Sequence, residues 1–272
     1  MGNAGEYIRR FIKRFLGSNS IPYKLGSSVI VFWIVTWREG FRAYRLLRNC
    51  SSTSMQLQPI SLKLRSLDFP ISFRPGGDNV TIMNDAALLI NTVIRREYGK
   101  IQPSDDPIWM IDAGAYIGDT AAFFLSRYPG LNIIALEQWE EPYNMAIENL
   151  KPYGERVILL KKALWGSETT MRVGGDSTDA SSRDYGFEVN CTTIPALMRQ
   201  YSIDRLDILK IDIEGAELNV FASEAERWLH LVDLIIIEIR EDSTLRIISD
   251  ILRNNGFFMT QYRSVWYCQR SK

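Results

Sequence analysis

Residues 107–120 read Pro107-Ile-Trp-Met-Ile-Asp112-Ala-Gly114-Ala115-Tyr-Ile-Gly118-Asp119-Thr120. The apolar run Ile108–Ile111 follows a proline and stops sharply at Asp112, the pattern of a short buried strand entering a loop. Gly114 and Gly118 lie in that loop, and Thr120–Leu125 reads as the first turns of a helix. Strand, glycine loop and helix together form the nucleotide-binding half of a doubly wound sheet. The glycines are expected to let a ligand approach the backbone where a Cβ would block it. The plainer reading is a tight strand-to-helix turn with structural glycines.

The spacing separates two ligand classes. A dinucleotide loop has three glycines in G-x-G-x-x-G and seats a pyrophosphate on the helix N-terminus. Here the order is Asp112-x-Gly114-x-x-x-Gly118, with Asp112 and Asp119 on its flanks. Two carboxylates repel a pyrophosphate but attract a cofactor carrying an amine and a sulfonium. S-adenosyl-L-methionine has both. Glu137, about twenty residues beyond the loop, ends a second apolar run (Asn132–Leu136), where an acid can accept the ribose hydroxyls. Gln138 follows it. Ala163 and Leu164 lie after a third strand (Val157–Leu160), where an adenine can be sandwiched. Asp112, Gly114, Ala115, Gly118, Asp119, Thr120, Glu137, Gln138, Ala163 and Leu164 are therefore the expected cofactor-binding residues.

The candidate chemistry comes later in the chain. Leu206–Ile211 reads as a fourth strand, continuing into Asp212, Glu214 and Glu217. Val232–Ile239 is a fifth, with Glu238 near its end. In an extended segment Lys210, Asp212 and Glu214 share one side. An alcohol is a poor nucleophile until it loses its proton, so carboxylates are the available general bases. Asp212, Glu214, Lys210 and Glu238 are the expected catalytic set, with Lys210 orienting a carboxylate or lowering its pKa. The alternative is that some of these acids cap the following helix. No acid set is spaced to demand a metal ion.

Composition narrows the remaining classes. The chain has 272 residues, 46% hydrophobic and 24% charged, with Cys50, Cys191 and Cys268 too few and too far apart for a disulfide framework or a zinc site. His230 is the single histidine and reads as a helix-end residue, which excludes a multi-histidine metal site. Net charge is zero, but residues 1–50 hold nine Lys or Arg against two acids, a balance of +7 offset by −7 in the rest. Glu6–Leu16 spaces Ile8, Phe11, Ile12, Phe15 and Leu16 as one helical face with a basic remainder. The apolar run Val29–Val35 is too short to span a bilayer. This arm is expected to be a helical lid or dimer contact, or a contact with a membrane surface. Nucleic acid is not an expected partner, because the body is acidic and the basic stretch is amphipathic. The expected location is the cytoplasm, with the inner face of the membrane as the peripheral site that the arm would reach.

Ile60–Phe73 reads as a small sheet or hairpin, and Asn84–Tyr98 as a helix ended by Gly99. The expected organisation is a basic, partly helical extension over 1–58, pre-core strands and a helix over 59–106, and a Rossmann-like core over 107–272. Thr244–Asn255 reads as a last helix, followed by strands at Phe257–Thr260 and Val265–Cys268. That order implies a mainly parallel sheet with one antiparallel strand.

Asp112-Ala-Gly114-Ala-Tyr-Ile-Gly118-Asp119-Thr120, Glu137 and Leu209-Lys210-Ile-Asp212-Ile-Glu214-Gly215-Ala216-Glu217 together resemble the FkbM-type family of S-adenosylmethionine-dependent O-methyltransferases. The second run is the most specific. The resemblance covers roughly residues 60–268 and departs at Gln138-Trp139, where the family often has a proline. It implies an α/β, class I methyltransferase fold with a seven-stranded, mainly parallel sheet and an antiparallel last strand. It also implies a hydroxyl of a saccharide or other small molecule as acceptor. The competing function is a non-catalytic Rossmann-like protein that kept the cofactor loop as a binding or scaffolding module.

Overall fold

The computed structural model describes residues 20–25, 29–34, 59–64, 66–74, 85–103, 106–173, 187–222 and 225–270. They form two compact units, Met1–Arg96 and Glu97–Lys272. The amphipathic segment Glu6–Leu16 lies outside the described residues.

The first unit carries a four-stranded sheet of β1 (Ser20–Leu25), β2 (Val29–Ile34), β3 (Ile60–Lys63) and β4 (Ile71–Phe73), in that order. The apolar run at Val29 is thus a strand, not a helical lid. Val, Ile, Phe and Trp favour the pleated conformation, and Ser20–Leu25 supplies an antiparallel partner in register Leu25 to Val29. β2 also pairs β3, with Val31 opposite Ser61, so the sheet crosses the boundary expected at residue 58. The expected helix over Asn84–Tyr98 is broken in two. α1 (Asp85–Leu89) runs into a π turn at Ile90–Ile94, and a separate 3₁₀ turn covers Glu97–Gly99. Arg96 between them has φ +55°, which no helix continues through. Arg74 grips buried Asp85 through Nε (3.0 Å) and Nη2 (2.9 Å), a fork that fixes β4 against α1.

The second unit is the α/β body. Its strands are β5 (Trp109–Ala113), β6 (Asn132–Leu136), β7 (Val157–Leu160), β11 (Leu206–Ile211), β12 (Val232–Glu238), β13 (Phe257–Tyr262) and β14 (Val265–Arg270). They form one seven-stranded sheet, ordered β13-β14-β12-β11-β5-β6-β7. β14 alone runs against its neighbours, inserted between β12 and β13. The helices are α2 (Asp119–Arg127), α3 (Glu140–Leu150), α4 (Ile194–Gln200), α5 (Glu217–Ala222), α6 (Glu226–Leu229) and α7 (Asp242–Asn254). A small side sheet joins β8 (Ala163–Leu164), β9 (Thr170–Val173) and β10 (Phe187–Thr192).

Parallel strands covered on both faces need apolar residues at successive positions. Accordingly, Ile133, Ile134 and Ala135 of β6 and Ile235, Ile236 and Ile237 of β12 are fully buried. Each such aliphatic side chain contributes about 1.5–3 kcal/mol when removed from water. A hydrophobic core cluster runs from Ile111 and Ile134 through Leu209 and Ile235 to Trp228 and Leu252. His230 sits exposed at the end of α6, its Nδ1 3.2 Å from the Glu226 carbonyl. It is the helix-end residue the sequence suggested. The strand order reverses direction between β5 and β11, and ligands of open α/β sheets bind outside the strand ends at such a point.

Candidate active site

The loop after β5 is pinned to both neighbours. Gly114 N and Ala115 N donate to the Leu136 carbonyl at 3.0 and 2.8 Å. On the other side Asp212 N donates to the Ala113 carbonyl at 3.1 Å. Gly114 has φ +81°, and a Cβ there would stand 1.9 Å from the Asp212 carbonyl oxygen. Gly118, also at φ +81°, would drive a Cβ into the Leu150 side chain at 2.8 Å. The glycines are therefore demanded by the protein's own packing. The expectation that a ligand's approach explains them is corrected to that extent: the neighbouring loop and α3 already occupy the space. Ala115, Asp119 and Thr120 are likewise buried, held under the loop at the start of α2.

Glu137 ends β6, 4% exposed. Its Oε2 accepts from Tyr116 N at 2.8 Å and its Oε1 from Trp139 N at 2.7 Å. Tyr116 takes φ +49° to present that N–H. Burial raises the carboxyl to about 7, and the two N–H groups offset only part of the rise. Each carboxylate oxygen has a second lone pair, so a pair of ligand hydroxyls still fits this acid. Gln138 is half-buried beside it. Leu164 packs into the hydrophobic core. Ala163 and Trp165 around it remain partly exposed.

Across the switch point lies a charged cluster. Lys210 is 2% exposed and donates to the Gly114 carbonyl at 2.7 Å. Its ammonium lies 3.2 Å from Asp112 Oδ1 and 3.9 Å from Asp212 Oδ2. Burial pulls its pKa down, but Asp112, Asp212 and Asp119 outweigh that and hold the cation above its ordinary range. Asp112 is fully buried, and neither of its oxygens has a well-formed hydrogen bond among the described residues. The Lys210 contact is an ion pair off the hydrogen-bonding line. Burial pushes Asp112 up, against the pull of Lys210.

Asp212 Oδ2 also accepts from the Tyr98 hydroxyl at 2.9 Å. Sequence reasoning missed Tyr98, which it had placed at the end of a pre-core helix. The shared side expected for Lys210, Asp212 and Glu214 holds for the first two only. β11 ends at Ile211 and Glu214 takes φ +55°, so the chain turns and carries Glu214 to Arg240. Arg240 Nη2 pairs with Glu214 Oε1, the guanidinium side chain 52% exposed and the carboxyl 8%. Glu214 Oε2 is buried and has no hydrogen-bond partner among the described residues. Burial and then Asp212 raise Glu214 to about 8, an effect Arg240 only reduces. Glu238 is raised by burial and by Asp212, with Ser264 and Arg240 acting against it. Glu217 accepts from Gly215 N at 3.0 Å, so it is this acid that serves the turn before α5.

An acidic cluster at a switch point, holding buried carboxylate oxygens without hydrogen bonds among the described residues, suits a ligand that brings positive charge and hydroxyl donors. S-adenosylmethionine brings both. Among the described residues no group of acids, histidines or cysteines is arranged to hold a metal ion.

Comparison with known proteins agrees with this reading. The family model described as the methyltransferase FkbM domain matches residues 112–259. The chain is similar to methyltransferase sdnD of Sordaria araneosa, 26% identical over 198 residues, covering 58% of this chain and 76% of the relative. It is similar to methyltransferase 1 of Beauveria bassiana, 19% identical over 195 residues, covering 61% and 78%. Among solved structures it aligns with precorrin-6y C5,15-methyltransferase of Geobacter metallireducens at 13% identity and TM-score 0.43, covering 71% of this chain and 92% of that one. The family match spans more than half of the 272 residues, from Asp112 at the end of β5 to Met259 in β13, and the chain belongs to the FkbM methyltransferase domain family, enzymes that use S-adenosylmethionine as methyl donor.

Proposed function

We propose that this enzyme methylates a hydroxyl group of a saccharide or another small hydroxylated acceptor, with Glu214 as general base. The cofactor supplies an electrophilic methyl group. The loop from Asp112 to Thr120, with Glu137, Gln138 and Ala163, is the proposed seat for it. The observation that carries the reading is Glu214 itself. One buried oxygen has no hydrogen-bond partner among the described residues, and the carboxyl is pushed up to about 8, close to where a base is most effective at neutral pH. Asp212 and Lys210 orient the cluster, and Glu238 faces it from the neighbouring strand end as a second acid.

The charge of the cluster supports a neutral acceptor. A polyphosphate chain gains its affinity from cations along its path, whereas Asp212, Glu214 and Glu238 would repel it. Incubation with methyl-labelled S-adenosylmethionine and separated pools of oligosaccharides, small polyols and RNA tests the reading. Label is expected in a hydroxyl-bearing carbohydrate or small-molecule pool as a base-stable methyl ether. Label confined to RNA or to nitrogen would overturn it.

A further inference from the structure

Tyr98 belongs to neither expected site list, yet it touches both charges of the cluster. It lies in the 3₁₀ turn Glu97–Gly99 and is 7% exposed. Its hydroxyl donates to Asp212 Oδ2 at 2.9 Å, and its ring centroid is 5.4 Å from the Lys210 ammonium. The turn is clasped from β14. The Tyr267 hydroxyl donates to the Glu97 carbonyl and accepts from Lys100 N at 3.1 Å.

The Asp212 ion pair is long. Lys210 stands 3.9 Å from Asp212 Oδ2 but 3.2 Å from Asp112 Oδ1 and 2.7 Å from the Gly114 carbonyl. A free carboxylate 16% exposed on its side chain would rotate to close on a buried ammonium, because the attraction grows steeply as distance and local dielectric fall. The Tyr98 hydroxyl holds it off. With Oδ2 engaged, the negative charge of Asp212 stays directed to the strand ends. Its reach is visible in Glu214 and Glu238, both of which it raises.

We propose that Tyr98 is a positioning residue: by keeping Asp212 from collapsing onto Lys210 it maintains the negative field through which the site prefers the cationic methyl donor over its neutral demethylated product. The sulfonium carries one more positive charge than the thioether, so this field favours substrate and hastens product exchange. The inference rests on the cluster facing the methyl donor, and it needs neither the identity of the acceptor nor the choice of Glu214 as base.

Calorimetry of the full chain with S-adenosylmethionine and S-adenosylhomocysteine tests it without any acceptor. Asp212→Asn should cut the preference for the cation roughly tenfold, and Tyr98→Phe about threefold, the scale of one partly screened charge. Tyr98→Phe should change nothing further in the Asp212→Asn background, because coupled residues are not additive. Tyr267→Phe, which loosens the clasp and leaves Tyr98 intact, should shift the ratio in the same direction by less, and it keeps the test open if Tyr98→Phe folds poorly. A purely structural role would weaken both ligands equally. An unchanged ratio in Tyr98→Phe, or in Tyr267→Phe where the first variant does not fold, would overturn the proposal. So would a shift that persists in the Asp212→Asn background. Wild-type protein that binds neither ligand would instead refute the placement of the cofactor at this cluster.

Discussion

Beyond the end of β6, each Glu137 carboxylate oxygen accepts from a backbone N–H; beyond the end of β11, one buried Glu214 oxygen has no hydrogen-bond partner among the described residues. Both carboxyls are raised by burial, to about 7 and about 8. The difference lies in what else surrounds them. Around Glu137 the loop after β5 is tied to β6 by backbone hydrogen bonds, and Tyr116 is bent into a left-handed conformation to complete them. Around Glu214 the neighbours are Asp212, Glu238 and Glu217, which repel it, and a half-exposed Arg240 that offsets them in part. A preorganised set of donors makes a rigid seat, while a carboxyl that titrates near the working pH can take up and release a proton. Under the proposed function, the two strand ends of one sheet are specialised, one for holding and one for chemistry.

The sharpest way to break the contrast is to break the loop that joins the two ends. Gly114→Ala places a Cβ 1.9 Å from the Asp212 carbonyl at φ +81°, and backbone must move. A loss of roughly 4 kcal/mol or more is expected, read by chemical denaturation, together with loss of S-adenosylhomocysteine binding. Gly256→Ala is the control. It also has positive φ but open space around it, so a loss of about 1 kcal/mol is expected. Equal losses would show that packing at Asp212 is not what requires glycine. Glu214→Gln should lower turnover by about 10²–10⁴ while affinity for S-adenosylhomocysteine stays within a few-fold. Wild-type turnover in that variant would move the base to Glu238.

Glu137→Ala should act in the opposite way, weakening S-adenosylhomocysteine by roughly 1–3 kcal/mol, the scale of charge-assisted hydrogen bonds. Turnover at saturating cofactor should change far less. If binding is unaffected, the seat described at the end of β6 holds no ligand.

The sheet was legible because buried parallel strands advertise themselves. Asn132–Leu136, Val157–Leu160 and Leu206–Ile211 match the expected runs residue for residue. Asp112, Glu137 and Lys210 were legible for a related reason, since an ionisable residue closing an apolar strand has few structural uses. Tyr98 was not. Its partner Asp212 is 114 residues away, and nothing in the local pattern of Asn84–Gly99 marks the break at Arg96. Glu214 was found by spacing but misplaced in geometry, because alternation holds only while the strand lasts and a left-handed turn follows Ile213. At Val29–Ile34 apolar composition alone does not separate a buried helix from a strand; its pairing with β1 and β3 does.

The smallest effect should appear in stability, and it sharpens the comparison without any substrate. A carboxyl raised from about 4.5 to about 8 keeps its proton in the folded protein over a range where the unfolded chain has already released it. Between these values the native state binds more protons, so wild-type stability falls as pH rises through them. Glu214→Gln removes that dependence. The stability of the Gln variant relative to wild type should therefore increase from pH 5 to pH 9. Each tenfold shift in proton affinity is worth about 1.4 kcal/mol. Because relaxation and Arg240 reduce the effect, a gain of about 1 kcal/mol is expected, measured by urea titration of the ligand-free protein. Glu137→Gln should gain less over the same range, since its displacement to about 7 is smaller. A flat difference for Glu214→Gln would mean that Arg240 already neutralises the acid in the native state, and the base would then have to be sought at Glu238.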